Sequence, residues 1–334
     1  MRADPQLPDA DPERSVAAID LGTQTALLVI VRVERDGVLE VVEDHAFAAK
    51  LGAGLGRGPG VDGRLAPSAR ERTRDVLATF ARRIALHGIP NERVHAVGTA
   101  VLRRAVDADD FVREVRSACG LAIDVVSGAE EARLAWLGAT AFPRPRRAAA
   151  VPACDALIDV GGGSAEIVGP MGAFVGSLDI GAAWLTERFA DDARTGEYAP
   201  GAFARLETEV ATAAAALPRA RAHEAVLVGG GAVNLGCLVR AAAAFDHRLA
   251  EGVAVDAERV ARIARDLAHA SHAERLDLPI EAERAAALPA GFAVMAALLR
   301  HLGDPRATIT TRGLRHGVAL ELARRSFGRA APAT

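Results

Sequence analysis

Two acidic glycine turns of one design recur in the sequence, Asp20-Leu-Gly-Thr-Gln-Thr25 and Asp159-Val-Gly-Gly-Gly-Ser164, their aspartates 139 positions apart. Each follows a short apolar run, Val16-Ala-Ala-Ile19 in the first and Ala156-Leu-Ile158 in the second, and each precedes another. That pattern predicts a strand, a tight turn and a returning strand, with a carboxylate at the strand end and hydroxyls in the turn. Glycine lets backbone N–H groups approach an anion closely, and an aspartate beside them can hold a cation or orient a water. A single Asp-x-Gly is an ordinary turn sequence. A matched pair in matched surroundings points to two related units facing each other across a phosphate. On this reading Gly22, Thr23, Gln24 and Thr25 bind phosphate from the first turn, and Gly161, Gly162, Gly163 and Ser164 from the second. Asp20 and Asp159 then sit where a divalent ion bridges protein and phosphate. Magnesium suits such a site because it takes few carboxylates and keeps several waters.

A third glycine run, Val228-Gly-Gly-Gly-Ala-Val-Asn-Leu235, follows a predicted strand and opens a helix. Gly229, Gly230 and Gly231 admit two readings: a helix N-terminus aimed at an anion or nucleotide, or a turn that lets elements pack closely. Ser127-Gly-Ala-Glu130 has capping-box spacing. It predicts a helix running to about residue 141 and assigns the Glu130 carboxylate to the backbone N–H of Ser127. Glu131 is then free to point elsewhere.

The elements that must position these residues follow from periodicity and turn chemistry. Strands are predicted at 25–33 and 38–42, joined by a turn at 35–37, and residues 50–63 form a glycine-rich loop. Val76, Leu77, Phe80 and Ile84 have helical spacing within 68–87, closed by Gly88 and Pro90. A strand at 94–97, helices at 99–105 and 109–119, and a strand at 123–126 complete the first block. Residues 142–152 are the most linker-like interior stretch. The β-rich pattern restarts at 156–159, 165–168 and 173–178. Alanine-rich helices follow, broken by strands at 225–228 and 308–310, with a last helix at 313–322.

Strand-strand-strand-helix-strand-helix, twice over, describes an α/β chain of two ribonuclease-H-like domains with an active-site cleft between them. The expected division is a disordered tail at 1–14, a first domain at 15–130 and a second at 131–311. A C-terminal helix at 312–326 is expected to pack back on the first. A dinucleotide-binding fold would instead put a helix directly after the first glycine turn, where residues 25–33 read as strand.

Composition narrows the function further. The 334 residues exceed one ordinary core. A net charge of −3 gives no overall bias toward nucleic acid or anionic membrane. Aromatic residues are few and never alternate with basic ones, which argues against base stacking as a binding mode. Cys119, Cys154 and Cys237 are odd in number and lack zinc-ligand spacing, so they read as reduced thiols. The acidic, proline-rich N-terminus is unlike an export segment, and no apolar run is long enough to span a bilayer. The expectation is a cytoplasmic protein without nucleic-acid or membrane partners; a homodimer is compatible with it.

With these segments placed, the chain resembles the exopolyphosphatase / guanosine pentaphosphate phosphatase family, within the actin, sugar-kinase and heat-shock-chaperone superfamily. The matching stretches are Ala18-Ile-Asp-Leu-Gly-Thr23, Gly98-Thr-Ala-Val-Leu-Arg103, Ser127-Gly-Ala-Glu-Glu-Ala-Arg-Leu134 and Ile158-Asp-Val-Gly-Gly-Gly-Ser-Ala-Glu166. Gly181 with Leu185-Thr-Glu-Arg-Phe189, and Gly313-Leu-Arg315, complete the set. Longer family members carry an extra C-terminal domain without counterpart in this sequence. The resemblance implies magnesium-dependent hydrolysis of the terminal phosphoanhydride of inorganic polyphosphate or guanosine pentaphosphate. It also implies a water-activating glutamate in the Glu130-Glu131-Ala132 segment. Because Glu130 has the capping position, Glu131 is favoured as general base, with Glu130 in reserve. The same resemblance gives Glu166 a role in holding metal or water, and Arg103 a role in neutralising a non-scissile phosphate. Arg188 and Arg315 read rather as structural ion-pair partners.

Several positions depart from the family pattern. Gln24 and Asp107 stand where asparagine is usual, Trp184 where arginine is common, and Ala232 where threonine is usual. His316 replaces a typical glutamate and reads as a helix-surface residue. Losing an arginine at 184 is expected to weaken binding of a long polyanion, and Asp107 to add negative charge near a site expected to be positive. Two rival functions follow: a catalytically weak polyphosphate or alarmone sensor, motivated by these departures, and an ATP-dependent kinase of the same superfamily, supported only by the third glycine run.

Overall fold

The structure, a computed structural model, describes residues 14–35, 39–55, 63–142, 154–170 and 173–328. Most of the expected tail, the tip of the 35–37 turn, most of the 50–63 loop and the linker after Phe142 lie outside the described residues.

The first sheet holds β1 (Ser15–Leu21), β2 (Thr25–Val33), β3 (Leu39–Ala48), β4 (Val94–Gly98) and β5 (Ile123–Val125), in the order β3-β2-β1-β4-β5. The second holds β6 (Ala156–Val160), β7 (Ala165–Val168), β8 (Phe174–Leu178), β9 (Glu224–Val228), β10 (Ala254–Val255) and β11 (Arg306–Ile309), in the order β10-β11-β9-β6-β7-β8. Without the two-residue edge strand β10, the second sheet repeats the first: an antiparallel meander of three strands, then two parallel neighbours beside the strand that opened it. β1 and β6 are therefore central strands covered on both faces, and they read as nearly continuous apolar runs for that reason. The protein is an α/β chain with two ribonuclease-H-like halves of the actin-like type.

The described helices are α1 (Pro67–Leu86), α2 (Ala100–Arg104), α3 (Ala108–Cys119), α4 (Gly128–Ala141), α5 (Ala182–Phe189) and α6 (Ala202–Ala215), followed by α7 (Gly229–Val239), α8 (Ala257–His269), α9 (His272–Leu276), α10 (Leu288–His301) and α11 (Leu314–Phe327). In α1, Ala69, Thr73, Leu77, Phe80 and Ile84 share one buried face. None of the described helices is long and apolar enough to cross a membrane. β3 runs six residues beyond its predicted end because it pairs with β2 as far as Thr25 and Ala48, absorbing one irregularity between Ile30 and Val31.

Helix α4 lies between the two sheets. Ala132, Ala135 and Ala139 pack on Leu157, Val168, Val226 and Val228 of the second sheet. Leu134 joins a different cluster with Val16, Ala18, Val29 and Val31 of the first sheet and Leu314, Val318 and Leu322 of α11. α4 and α11 cross in near contact: a Cβ on Gly317 would overlap the Leu134 carbonyl, and one on Gly138 the Gly313 carbonyl. The small residues of α4 thus let one helix touch two cores while its first turn faces the gap between them.

Three expectations are corrected here. Ser127 caps α4, its Oγ accepting the Glu130 N–H at 3.1 Å. The Glu130 carboxylate, however, takes the Arg133 guanidinium through two bonds of 2.8 Å instead of returning to Ser127. His316 is fully buried, not on a helix surface, because the first turn of α11 is wedged under α4; its ring meets Phe142 edge-on with centroids 4.9 Å apart. Asp107 belongs to a seam between α1 and α3. Its Oδ1 accepts the Leu65 N–H at 3.0 Å and its Oδ2 the Arg70 guanidinium at 2.9 Å, so its charge is spent there and not at a phosphate site.

Candidate active site

β1 and β6 deliver Asp20 and Asp159 to equivalent places. Asp20 lies beside Val97 of β4 and opposite Leu27 of β2; Asp159 lies beside Val228 of β9 and opposite Glu166 of β7. The turns that follow close alike, Gly22 N–H donating to Thr25 O at 3.0 Å and Gly161 N–H to Ser164 O at 2.9 Å. The two turns meet. A Cβ on Gly162 would lie 2.7 Å from Gln24 Cγ, and one on Gly163 would lie 2.7 Å from Thr23 Oγ1. Between them opens a cavity of about 230 Å³ that both turns, Asp20, Asp159 and Glu131 line. The parallel strands β4 and β9 also end there. The first residues after each, Thr99-Ala100 and Gly229-Gly230, line the same cavity, as expected at the carboxyl ends of strands.

The third glycine run both borders the cavity and permits close packing. Gly229 and Gly230 line the cavity, whereas Gly230 and Gly231 allow close packing: a Cβ on Gly230 would overlap the Arg284 guanidinium, and one on Gly231 would lie 2.9 Å from Met295 Cε. Asn234 in the same helix donates to Gly230 O at 2.8 Å and to Glu281 at 2.9 Å. Glu281 holds Arg284 at 2.6 Å, and Arg284 reaches Thr25 Oγ1 at 2.7 Å. A polar chain therefore runs from α7 across to the first turn.

Four carboxylates crowd this point. Burial, followed by the charges of Glu131 and Asp159, raises Asp20 to about 8. Burial and then Glu131 raise Asp159 to about 7. Glu166, behind Asp159 and outside the cavity lining, accepts the Ser177 hydroxyl at 3.1 Å; burial holds it well above the usual carboxyl range. Asp20 Oδ1 is buried without a hydrogen-bond partner. Buried carboxylates that repel one another are held as anions when a cation joins them. Among the described residues, no three His, Cys, Asp or Glu side chains are grouped to hold a metal by themselves. The residues fit a small hard ion bound by one or two carboxylates, with water and substrate oxygens completing its sphere.

Glu131 occupies the first turn of α4 and lines the cavity. Burial raises its pKa, while Arg103, 2.7 Å from Oε2, opposes that rise. Arg103 also donates to Val126 O at 2.9 Å. It backs Glu131 instead of lining the cavity. Glu130, one residue earlier, is rotated outward: Arg133, which also binds Glu321 at 2.9 Å, pulls its pKa down. Trp184 is buried in the first turn of α5 against Gly163. Arg188 pairs with Glu209 away from the cavity, whereas Arg315 lines it and is held by Asp44 through bonds of 2.8 and 2.9 Å.

Arg284, Phe245 and His247 line the cavity without having been singled out in the sequence. Each stands in a stretch without motif character. The Arg284–Thr25 contact joins residues 259 positions apart, which no local pattern signals.

The overall fold is shared with known proteins. The profile of the Ppx/GppA phosphatase family matches residues 29–326. The crystal structure of the Aquifex aeolicus Ppx/GppA family member is 25% identical, with 93% of this chain and 98% of that one covered and a TM-score of 0.71. An exopolyphosphatase-like protein superposes with a TM-score of 0.78 at 24% identity, covering 93% of this chain and 99% of its own. An exopolyphosphatase from Cytophaga hutchinsonii gives 0.77 at 19% identity, covering 93% and 98%; these last two show the shared fold. Matched over nearly all its length and built around two facing acid-and-glycine turns, the chain belongs to the Ppx/GppA phosphatase family and is a phosphoanhydride hydrolase.

Proposed function

We propose that the protein removes the terminal phosphate of a phosphoanhydride chain in the cleft between its two sheets, with magnesium, and that Glu131 activates the water. The observation that carries this reading is the meeting of the two turns at a cavity that also receives Glu131 and two buried aspartates. Turn N–H groups and the hydroxyls of Thr23, Thr25 and Ser164 bind the terminal phosphate. Magnesium, when bound beside Asp20 and Asp159, supplies positive charge against the phosphate oxygens. Glu131 accepts the proton of the attacking water as the new P–O bond forms, and the bond to the leaving phosphate breaks with its electron pair. Arg103 favours the ionised form of Glu131 and offsets part of the rise that burial causes. Positioning and charge neutralisation dominate such a reaction.

Guanosine pentaphosphate is the better-supported substrate. Leu27, Ala46, Val233 and Phe245 give the cavity an apolar wall that a nucleoside can use and bare polyphosphate cannot. Among the described residues, the two arginines that line it are paired with acids, Arg284 with Glu281 and Arg315 with Asp44, a poorer track for a long polyanion than unpaired cations would be. Asp107 lies outside the cavity, which removes one support from the sensor reading.

Phosphate release from guanosine pentaphosphate and from polyphosphate, each with magnesium, tests the proposal. Release is expected from the first at the higher kcat/KM. Glu131→Gln is expected to lower kcat by about 100-fold or more, the usual weight of a general base, with KM little changed. Full activity in that variant would remove the mechanism.

A further inference from the structure

Arg104 and Trp184 come from opposite sides of the cleft. Arg104 ends α2, which packs on β4 and α3 beside the first sheet, and Trp184 lies in α5, which packs on α6 and α10 beside the second. The Arg104 guanidinium carbon lies 3.7 Å from the Trp184 ring centroid. Trp184 is only 8% exposed and Arg104 is half-buried, so the ring face is shielded from water while the cation keeps part of its hydration.

Each partner is fixed to the site by its other neighbours. The Trp184 backbone N–H donates to Gly162 O at 3.2 Å, and a Cβ on Gly163 would lie 2.7 Å from Trp184 Cη2, so the indole packs directly against the second turn. Arg103, adjacent to Arg104, donates to Glu131 and to the Val126 carbonyl. α2 has five residues, so whatever grips Arg104 also sets where Arg103 stands.

We propose that the Arg104–Trp184 stack is a clasp between the two domains that positions the Gly163 turn and the Arg103–Glu131 pair about the same phosphate. Both are positioning residues; neither lines the cavity. When the domains part, the stack is lost, the second turn loses its alignment with α2, and the water-activating pair no longer faces the bound phosphate. Cation–π strength, from the exposed to the desolvated limit, corresponds to a shift of roughly 2- to 30-fold in the closing equilibrium. The clasp rests on the proposed hydrolase only for its kinetic readout.

The chain has two tryptophans, so Trp136→Phe leaves Trp184 as the sole indole reporter. In that background, Arg104→Ala and Arg104→Lys are compared by acrylamide quenching, by small-angle scattering, and by kinetics on guanosine pentaphosphate with magnesium. Circular dichroism verifies folding. Arg104→Ala is expected to expose the Trp184 fluorescence, raise the radius of gyration and lower kcat/KM by roughly 2- to 30-fold. Arg104→Lys, which keeps a cation over the ring, is expected to recover most of each change. Trp184→Phe is likewise expected to retain more activity than Trp184→Leu. Unchanged quenching and radius in Arg104→Ala would overturn the clasp, whatever its activity. If the parent hydrolyses nothing, the hydrolase reading fails while quenching and scattering still decide the clasp.

Discussion

Asp20 and Asp159 combine burial with mutual repulsion, and their protons report on both. Their carboxyls sit near 8 and 7 in the fold, against an ordinary 3.8. A group that binds its proton more tightly when folded stabilises the fold at low pH, and that contribution drains away as pH climbs through the folded values. Between about 6.5 and 8, metal-free protein should therefore lose stability to urea as pH rises. Asp20→Asn should flatten the slope, and magnesium should flatten it too by favouring the anions. A rise in stability over that window would contradict the buried charge assignment. His316 has the opposite sign. Burial, Arg315 and Arg312 hold it well below its usual 6.5, so it is neutral in the fold and its contribution is lost as pH falls below that value. His316→Gln should lose less stability than the parent on acidification from 6.5 to 5, as read by parallel urea titrations.

Helix α4 is the element on which the site depends, since it brings Glu131 to the gap while touching both cores. Its closeness to α11 at Gly138 and Gly317 leaves no space for a side chain. Gly317→Val should therefore push α11 off α4 and cost about 3 kcal/mol in urea unfolding, the upper end of ordinary overpacking. Phosphate release should fall with it, because Glu131 moves. The α1–α3 seam predicts a different outcome. Asp107→Asn keeps an acceptor for the Leu65 N–H and loses the charge facing Arg70, which Glu114 also binds. A loss of about 1 kcal/mol is expected, with kcat unchanged. A large kcat effect would place Asp107 in the site after all.

At the scale of the molecule, α11 returns to the sheet where the chain began. Leu314, Val318 and Leu322 bury against Val16, Ala18, Val29 and Val31, and Arg315 of the same helix enters the cavity. Ending the chain before Leu314 should expose that face of the first sheet and yield insoluble protein on expression, whereas a soluble, active truncation would show that α11 is dispensable.

Local sequence went far here because the informative features are local. Apolar runs broken by Asp and Gly predict the two hairpins, and their repetition predicts the paired sheets, since strand, turn and returning strand are set by neighbours within about ten residues. The spacing of Asp159 and Glu166 is legible for the same reason: an antiparallel hairpin places them opposite each other. What lay beyond the sequence depends on which faces come together. His316 and Asp107 are polar residues on helices, and only the packing of α11 under α4 and of α3 against α1 made one a neutral core group and the other a buried anchor. Glu130 and Glu131 are neighbours in the chain. The roughly 100° between successive helix positions sends one to Arg133 and the other to the cavity, and which is which was decided by the two sheets that grip α4. The ties across the cleft, Arg284 to Thr25 and Arg104 to Trp184, join residues far apart in sequence, so tertiary structure alone could pair them.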